Sequence, residues 1–160
     1  MEIITNTPEE TKNFAYKLAS KLKGNEILSF YGDLWVGKTT FIRGLASFFG
    51  LENLVSSPTF SLVNEYQNAN AKIYHFDMYR IHSFEDLEST GFFDYLDNGI
   101  FLIEWSENIE EHLPKNAIKI KIEKINSEDG RIITIEGENY IENFSSWFIV
   151  SHCFRSIGWQ

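Results

Sequence analysis

The octapeptide Gly32-Asp33-Leu34-Trp35-Val36-Gly37-Lys38-Thr39 fits the pattern G-x-x-x-x-G-K-[ST]. Its glycines let the backbone double back, and a loop folded that way can turn successive N–H groups toward a phosphate. The flanking residues supply the context this chemistry needs. Residues 26–31 (EILSFY) read as a strand delivering the loop, and Phe41, Ile42, Leu45, Ala46 and Phe49 recur at helical spacing after it, with Gly50 as the stop. Strand, loop and helix in that order aim the positive end of a helix at the loop. Lys38 then bridges the β- and γ-phosphates of a nucleotide as a point charge, and the Thr39 hydroxyl is a candidate Mg²⁺ ligand.

Upstream, Thr7 suits the cap of a helix that opens on Pro8, Glu10 completes a capping box, and Phe14, Leu18 and Leu22 recur at i, i+4 and i+8 beside Ala15 and Ala19. Gly24 is the expected stop. Downstream, residues 60–66 and 72–79 are aromatic and β-branched runs separated by residues 67–71, the pattern of a β-hairpin with a longer loop. Two short helical pieces are expected between 84 and 96. Residues 100–105 (IFLIEW) are apolar without alternation, as in a strand covered on both faces. Residues 117–125 and 131–136 alternate and pair across a turn holding Asp129 and Gly130, and residues 141–150 read as helix. The pattern predicts an α/β protein: a three-layer fold of the P-loop NTPase type, with a mostly parallel central sheet and an antiparallel hairpin.

A phosphate loop needs a carboxylate on the far side of its metal. Asp77 closes the run Ile73-Tyr74-His75-Phe76, and Glu104 closes Ile100-Phe101-Leu102-Ile103, so both stand at C-terminal strand ends, where open α/β sheets present ligands. The second run is the purer buried strand. Glu104 is therefore the first candidate for the metal, directly or through water, and Asp77 the candidate for orienting an attacking water. His75 points away from the face of Phe76 and reads as structural rather than as a metal ligand or acid/base group. Thr59, after Pro58, is either a switch that reaches the γ-phosphate or a local backbone cap. Trp105 lies either near the nucleotide or in the core.

The 160 residues suit one domain over 1–160, with 151–160 as a tail or packed extension. With 43% apolar and 23% charged residues the chain is neither disordered nor low in complexity. A net charge of -9 argues against a basic face able to hold nucleic acid unaided. Lys115, Lys119, Lys121 and Lys124 form one locally basic stretch, which reads as a solvated sheet edge. Cys153 stands alone, excluding an internal disulfide and a cysteine zinc cluster and favouring a reducing compartment. Residues 1–10 carry no apolar signal core and no apolar run spans a bilayer, so no membrane association and a cytoplasmic location are expected.

Four blocks in fixed order carry a resemblance over much of the chain. They are Gly32-Asp33-Leu34 with Gly37-Lys38-Thr39-Thr40-Phe41 and Arg43-Gly44; Ser57-Pro58-Thr59-Phe60-Ser61-Leu62-Val63-Asn64-Glu65-Tyr66; His75-Phe76-Asp77-Met78-Tyr79-Arg80; and Leu102-Ile103-Glu104-Trp105. Together they resemble the TsaE (YjeE) family, small bacterial P-loop ATPases of tRNA threonylcarbamoyladenosine biosynthesis. The resemblance implies ATP hydrolysis coupled to the partner proteins TsaB and TsaD, which assemble the modification; the net charge of -9 lets tRNA be met only indirectly, through them. It implies a Mg²⁺ site on Thr39 and Glu104 and a phosphate loop over Asp33, Leu34, Trp35, Val36, Gly37, Lys38, Thr39 and Thr40. It also implies a hydrolysis-critical acid at Asp77 and a position close to the nucleotide at Thr11. The family usually carries Gly-Ala where this chain has Trp35-Val36, and a bulky residue in a loop built for close approach bears on turnover. Trp35 either turns its ring outward or distorts the cradle.

Competing functions divide on a few residues. No Asn-Lys-x-Asp tetrad is present, so ATP is preferred over GTP. A small-molecule kinase needs an arginine-rich lid, and four arginines spread over Arg43, Arg80, Arg131 and Arg155 make a poor one. The remaining alternative is a nucleotide-gated scaffold with little hydrolysis of its own, which the bulk of Trp35 favours.

Overall fold

A computed structural model describes residues 1–137, and the helix expected over 141–150 and the segment 151–160 lie outside the described residues. Among the described residues the strands are β1 Glu2–Thr5, β2 Ile27–Tyr31, β3 Val63–Gln67, β4 Lys72–Asp77, β5 Ile100–Glu104, β6 Ile118–Lys124 and β7 Arg131–Glu136. They form one sheet in the order β1-β7-β6-β2-β5-β4-β3. The four central strands β6, β2, β5 and β4 run parallel, β3 and β7 flank them antiparallel, and β1 pairs antiparallel with β7 and so runs in the central direction. The expected α/β architecture with a parallel centre and an antiparallel hairpin is what forms. β2 pairs with β5 on one side and β6 on the other, so the loop after β2 leaves the sheet where connections diverge.

The helices are α1 Pro8–Ala19, α2 Lys38–Phe48 and α3 Phe84–Ser89, with 3₁₀ turns at Glu52–Leu54, Phe92–Tyr95 and Ser106–His112. Side-chain alternation along the strands sorts two cores onto the two faces. Ile73, Ile100, Leu102, Leu28, Phe30, Ile118, Ile120 and Ile122 join Phe14, Leu18, Phe41 and Leu45 of α1 and α2. Tyr74, Phe76, Phe101 and Ile103 instead meet Leu87, Phe92 and Ile109 on the other face. β5 feeds both cores and is buried at every position, which is why its sequence lacks alternation. β6 feeds one core only. Lys121 and Glu123 are solvated as expected, but β6 lies between β7 and β2 rather than at a sheet edge; these two are exposed because the helices there cover a single face, and Lys124 because it ends the strand.

Local chemistry explains the helix ends. Thr7 accepts from the Glu10 amide at 3.1 Å, while the Glu10 carboxylate reaches past the cap to the Asn6 amide at 2.7 Å. α1 stops at Ala19 rather than at Gly24, because Ser20 closes the last turn and Leu22 packs on the core from outside the helix. Gly44 of α2 faces the α1 backbone: a Cβ there would lie 2.5 Å from the Lys12 carbonyl oxygen, so the helices approach backbone to backbone. Two strands differ from expectation. β1 is too short to show a period and forms by pairing with β7, Ile3 opposite Ile133. β3 begins at Val63 rather than 60, since residues 58–62 make a turn closed by the Leu62 amide on the Pro58 carbonyl at 2.8 Å.

Candidate functional site

The loop after β2 opens with Gly32 at φ +136°, where a Cβ would sit 2.4 Å from the Ile122 carbonyl oxygen of β6. Only glycine lets the chain turn against β6 there. α1 and α3 are capped by the side chains of Thr7 and Ser83, but α2 starts from Gly37 with no side-chain cap. Its first intrahelical bond is Phe41 N–H to the Gly37 carbonyl, which leaves the amides of Lys38, Thr39 and Thr40 uncommitted among the described residues. An uncapped first turn suits an anion. The side chains of Asp33, Leu34 and Trp35 are exposed, whereas Val36 is buried in the core and anchors the loop's second half.

Lys38 is only 6% exposed, and its ammonium donates to the Gly32 carbonyl at 2.5 Å, with the Asp33 carbonyl at 3.4 Å. The ammonium also lies 4.3 Å from the centre of the Trp105 ring, a cation-π contact. Trp105 therefore belongs to the site rather than to the core alone. Burial lowers the Lys38 pKa, and the carboxylates of Glu104, Glu107, Asp77 and Asp33 push it back up. The lysine thus feels the charge of both strand-end acids named from the sequence, without an ion pair to either among the described residues.

Asp77 and Glu104 are register partners at the ends of β4 and β5. Each has a different set of partners. Asp77 accepts from the Thr59 hydroxyl at 3.1 Å and from the Tyr79 amide at 2.9 Å. Thr59 in turn shares a hydrogen bond with Ser57 at 2.7 Å, so the turn after Pro58 is tied to the acid rather than only to its own backbone. Glu104 meets Nε2 of His75 at 2.7 Å, and His75 Nδ1 lies 2.9 Å from the Tyr66 hydroxyl. His75 is fully buried. Its ring holds the Glu104 carboxylate in place, a pairing that no spacing in the sequence announces because the two residues lie on separate strands.

Trp35 stands at φ +65°, in the left-handed region, with its ring 85% exposed. Its ring turns outward, and the cost of the turn is carried by the backbone. Thr11 is buried and shares a hydrogen bond of 2.7 Å with Thr5, the register partner of Arg131. It reaches this edge through β1 rather than by a bond to the loop. Arg131 was only one of four scattered arginines in the sequence, yet its Nε donates to the Val36 carbonyl at 2.6 Å. A cleft of about 440 Å³ lies between the loop and β6, lined by Gly32, Asp33, Leu34, Val36 and Lys121. A larger cleft of about 510 Å³ opens on the outer side of α1 and α2 and contains none of these loop residues. No helix among the described residues is long and apolar enough to cross a membrane.

Comparison with known proteins agrees with this fold. A sequence model described as threonylcarbamoyl adenosine biosynthesis protein TsaE matches residues 5–133, which takes in the loop, both acids and Arg131. The chain is 41% identical over 140 residues to the tRNA threonylcarbamoyladenosine biosynthesis protein TsaE of Rickettsia typhi (strain ATCC VR-144 / Wilmington), covering 87% of this chain and 96% of that relative. The protein of the same description from Bacillus subtilis (strain 168) is 37% identical over 138 residues, covering 85% and 86%. The fold matches a crystal structure of Bacillus subtilis YdiB with a TM-score of 0.71 at 30% identity, over 95% of each chain. The family model spans the strand-loop-helix unit and both strand-end acids, the relatives cover most of the chain, and the chain belongs to the TsaE family of tRNA threonylcarbamoyladenosine biosynthesis.

Proposed function

We propose that the chain binds MgATP at residues 32–40 and hydrolyses it in support of tRNA threonylcarbamoyladenosine formation, together with TsaB- and TsaD-type partners. The observation that carries this reading is the uncapped first turn of α2 beside a buried Lys38 whose ammonium lies against the loop carbonyls and over Trp105, the residue that follows Glu104. In the reading, the amides of the loop and of Lys38, Thr39 and Thr40 bind phosphate oxygens, and Lys38 neutralises charge on the transferred group. Thr39 and Glu104 hold Mg²⁺, which polarises the phosphate when bound. No three His, Cys, Asp or Glu side chains gather into a metal site among the described residues, and Mg²⁺ suits such a place because it takes much of its shell from phosphate and water. Asp77 orients the water. With a net charge of -9, contact with tRNA is assigned to the partners.

A second reading, a nucleotide-gated scaffold with little hydrolysis of its own, is favoured by one observation. Both carboxylate oxygens of Asp77 already accept hydrogen bonds, from Thr59 and from the Tyr79 amide. Steady-state phosphate release, with and without Mg²⁺ and with and without the partner proteins, separates the readings. Mg²⁺-dependent release lost in Lys38→Ala supports the ATPase; binding without release at any partner concentration supports the scaffold; absence of nucleotide binding overturns both.

A further inference from the structure

Arg131 is the first residue of β7, which runs against β6 and β2, so it stands at the same end of the strands as the loop although separated from Val36 by 95 positions in sequence. Its guanidinium is held from behind: Nη1 donates to the carbonyls of Gly130 at 2.8 Å and Glu128 at 3.1 Å, both in the turn between β6 and β7. From that anchored position Nε donates to the Val36 carbonyl at 2.6 Å. A Cβ on the next residue, Gly37, would come within 3.8 Å of the same nitrogen. No carboxylate among the described residues forms an ion pair with this guanidinium, so its charge is not cancelled by a described neighbour.

The Val36-Gly37 peptide has little local support. Trp35 before it has φ +65° and Gly37 after it has φ +105°, so neither helix nor strand sets the plane of this unit. In a trans peptide the C=O and the following N–H point in opposite directions. Holding the Val36 carbonyl toward β7 therefore sends the Gly37 N–H the other way, away from Arg131. We infer that Arg131 is a positioning residue for the phosphate loop, fixing the Val36-Gly37 peptide so that the Gly37 amide faces bound phosphate. This inference rests on the nucleotide-binding reading of the site. Arg131 acts through the peptide and touches no reacting atom.

The test compares Arg131→Met, which removes every donor, with Arg131→Lys, which keeps a charge and a donor near the carbonyl; Arg131→Gln serves as the second variant should Arg131→Met fail to fold. MgADP affinity is measured by calorimetry, thermal midpoint by scanning of the free protein, and the Gly37 amide resonance by ¹⁵N–¹H correlation spectroscopy. A charge-assisted bond lost from a preorganised loop predicts about tenfold weaker MgADP binding in the Met or Gln variant, with partial recovery in Lys. The Gly37 amide resonance moves in the ligand-free variant, a change that loss of fold stability alone would not produce at one residue. MgADP affinity within twofold of the parent, or an unmoved Gly37 resonance in a folded variant, overturns the inference. A parent that binds no nucleotide overturns the reading of the site and the ligand half of this inference with it, whereas normal parental binding with unaltered variants overturns this inference alone.

Discussion

Nε2 of His75 lies 2.7 Å from Oε1 of Glu104, although the two residues sit on separate strands and 29 positions apart. Removing the ring leaves a buried carboxylate without its partner and frees its rotamer. His75→Ala should therefore cost about 1–3 kcal/mol of stability, as for a buried acceptor left unsatisfied. It should also raise the Mg²⁺ concentration needed for tight ATP binding. Urea denaturation and Mg²⁺ titrations of nucleotide binding measure the two effects; an unchanged Mg²⁺ requirement would confine His75 to stability.

Among the described residues the Lys38 ammonium hydrogen-bonds to the loop carbonyls of Gly32 and Asp33 and rests over the Trp105 ring, so its loss removes charge without opening the hydrophobic core. Lys38→Ala should stay folded and lose about 100-fold or more in ATP turnover, the scale for removing a preorganised charge from a transferring phosphoryl group. Circular dichroism with phosphate-release kinetics checks it, and parental turnover in a folded variant would remove the phosphate-loop reading.

Asp77 and Glu104 share a register but not a set of partners, and their losses should separate. Glu104→Ala should shift the Mg²⁺ dependence of nucleotide binding upward, while Asp77→Ala should retain MgATP and lose hydrolysis. Superimposable Mg²⁺ titrations for the two variants would contradict this division.

Trp35 is exposed and held in a left-handed turn, where glycine is unstrained. Trp35→Gly should leave MgATP affinity within about one order of magnitude, roughly 1.4 kcal/mol, and change intrinsic hydrolysis or partner affinity. Parental values in all three assays would make the ring a tolerated substitution with no role.

At Gly44, two effects of similar size oppose each other. Alanine favours a helix interior over glycine by about 1 kcal/mol, but its Cβ would fall 2.5 Å from the Lys12 carbonyl oxygen and 2.6 Å from the Lys12 Cα. A backbone cannot step aside as a side chain can, so the clash wins. Gly44→Ala should destabilise the protein by about 1–3 kcal/mol, the range for overpacking. A urea midpoint equal to or above that of the parent would show that α1 and α2 can separate without loss.

Short-range signals carried most of the reading. The loop glycines, the Lys38-Thr39 pair, the Thr7-Pro8 helix start and the unbroken apolar run before Glu104 are each legible because the forces behind them act within a few residues. Where pairing is non-local the same residues are silent. β1 is four residues long and exists because β7 lies beside it; the lysines of β6 alternate as they would on an edge, and only the strand order puts them inside the sheet. The partners of Glu104 and of the Val36 carbonyl were likewise invisible, since a histidine on β4 and an arginine on β7 become neighbours of the loop only once the strands are laid side by side about 4.8 Å apart. Sequence spacing therefore names the groups able to handle phosphate and metal, and the sheet decides which groups hold them in place.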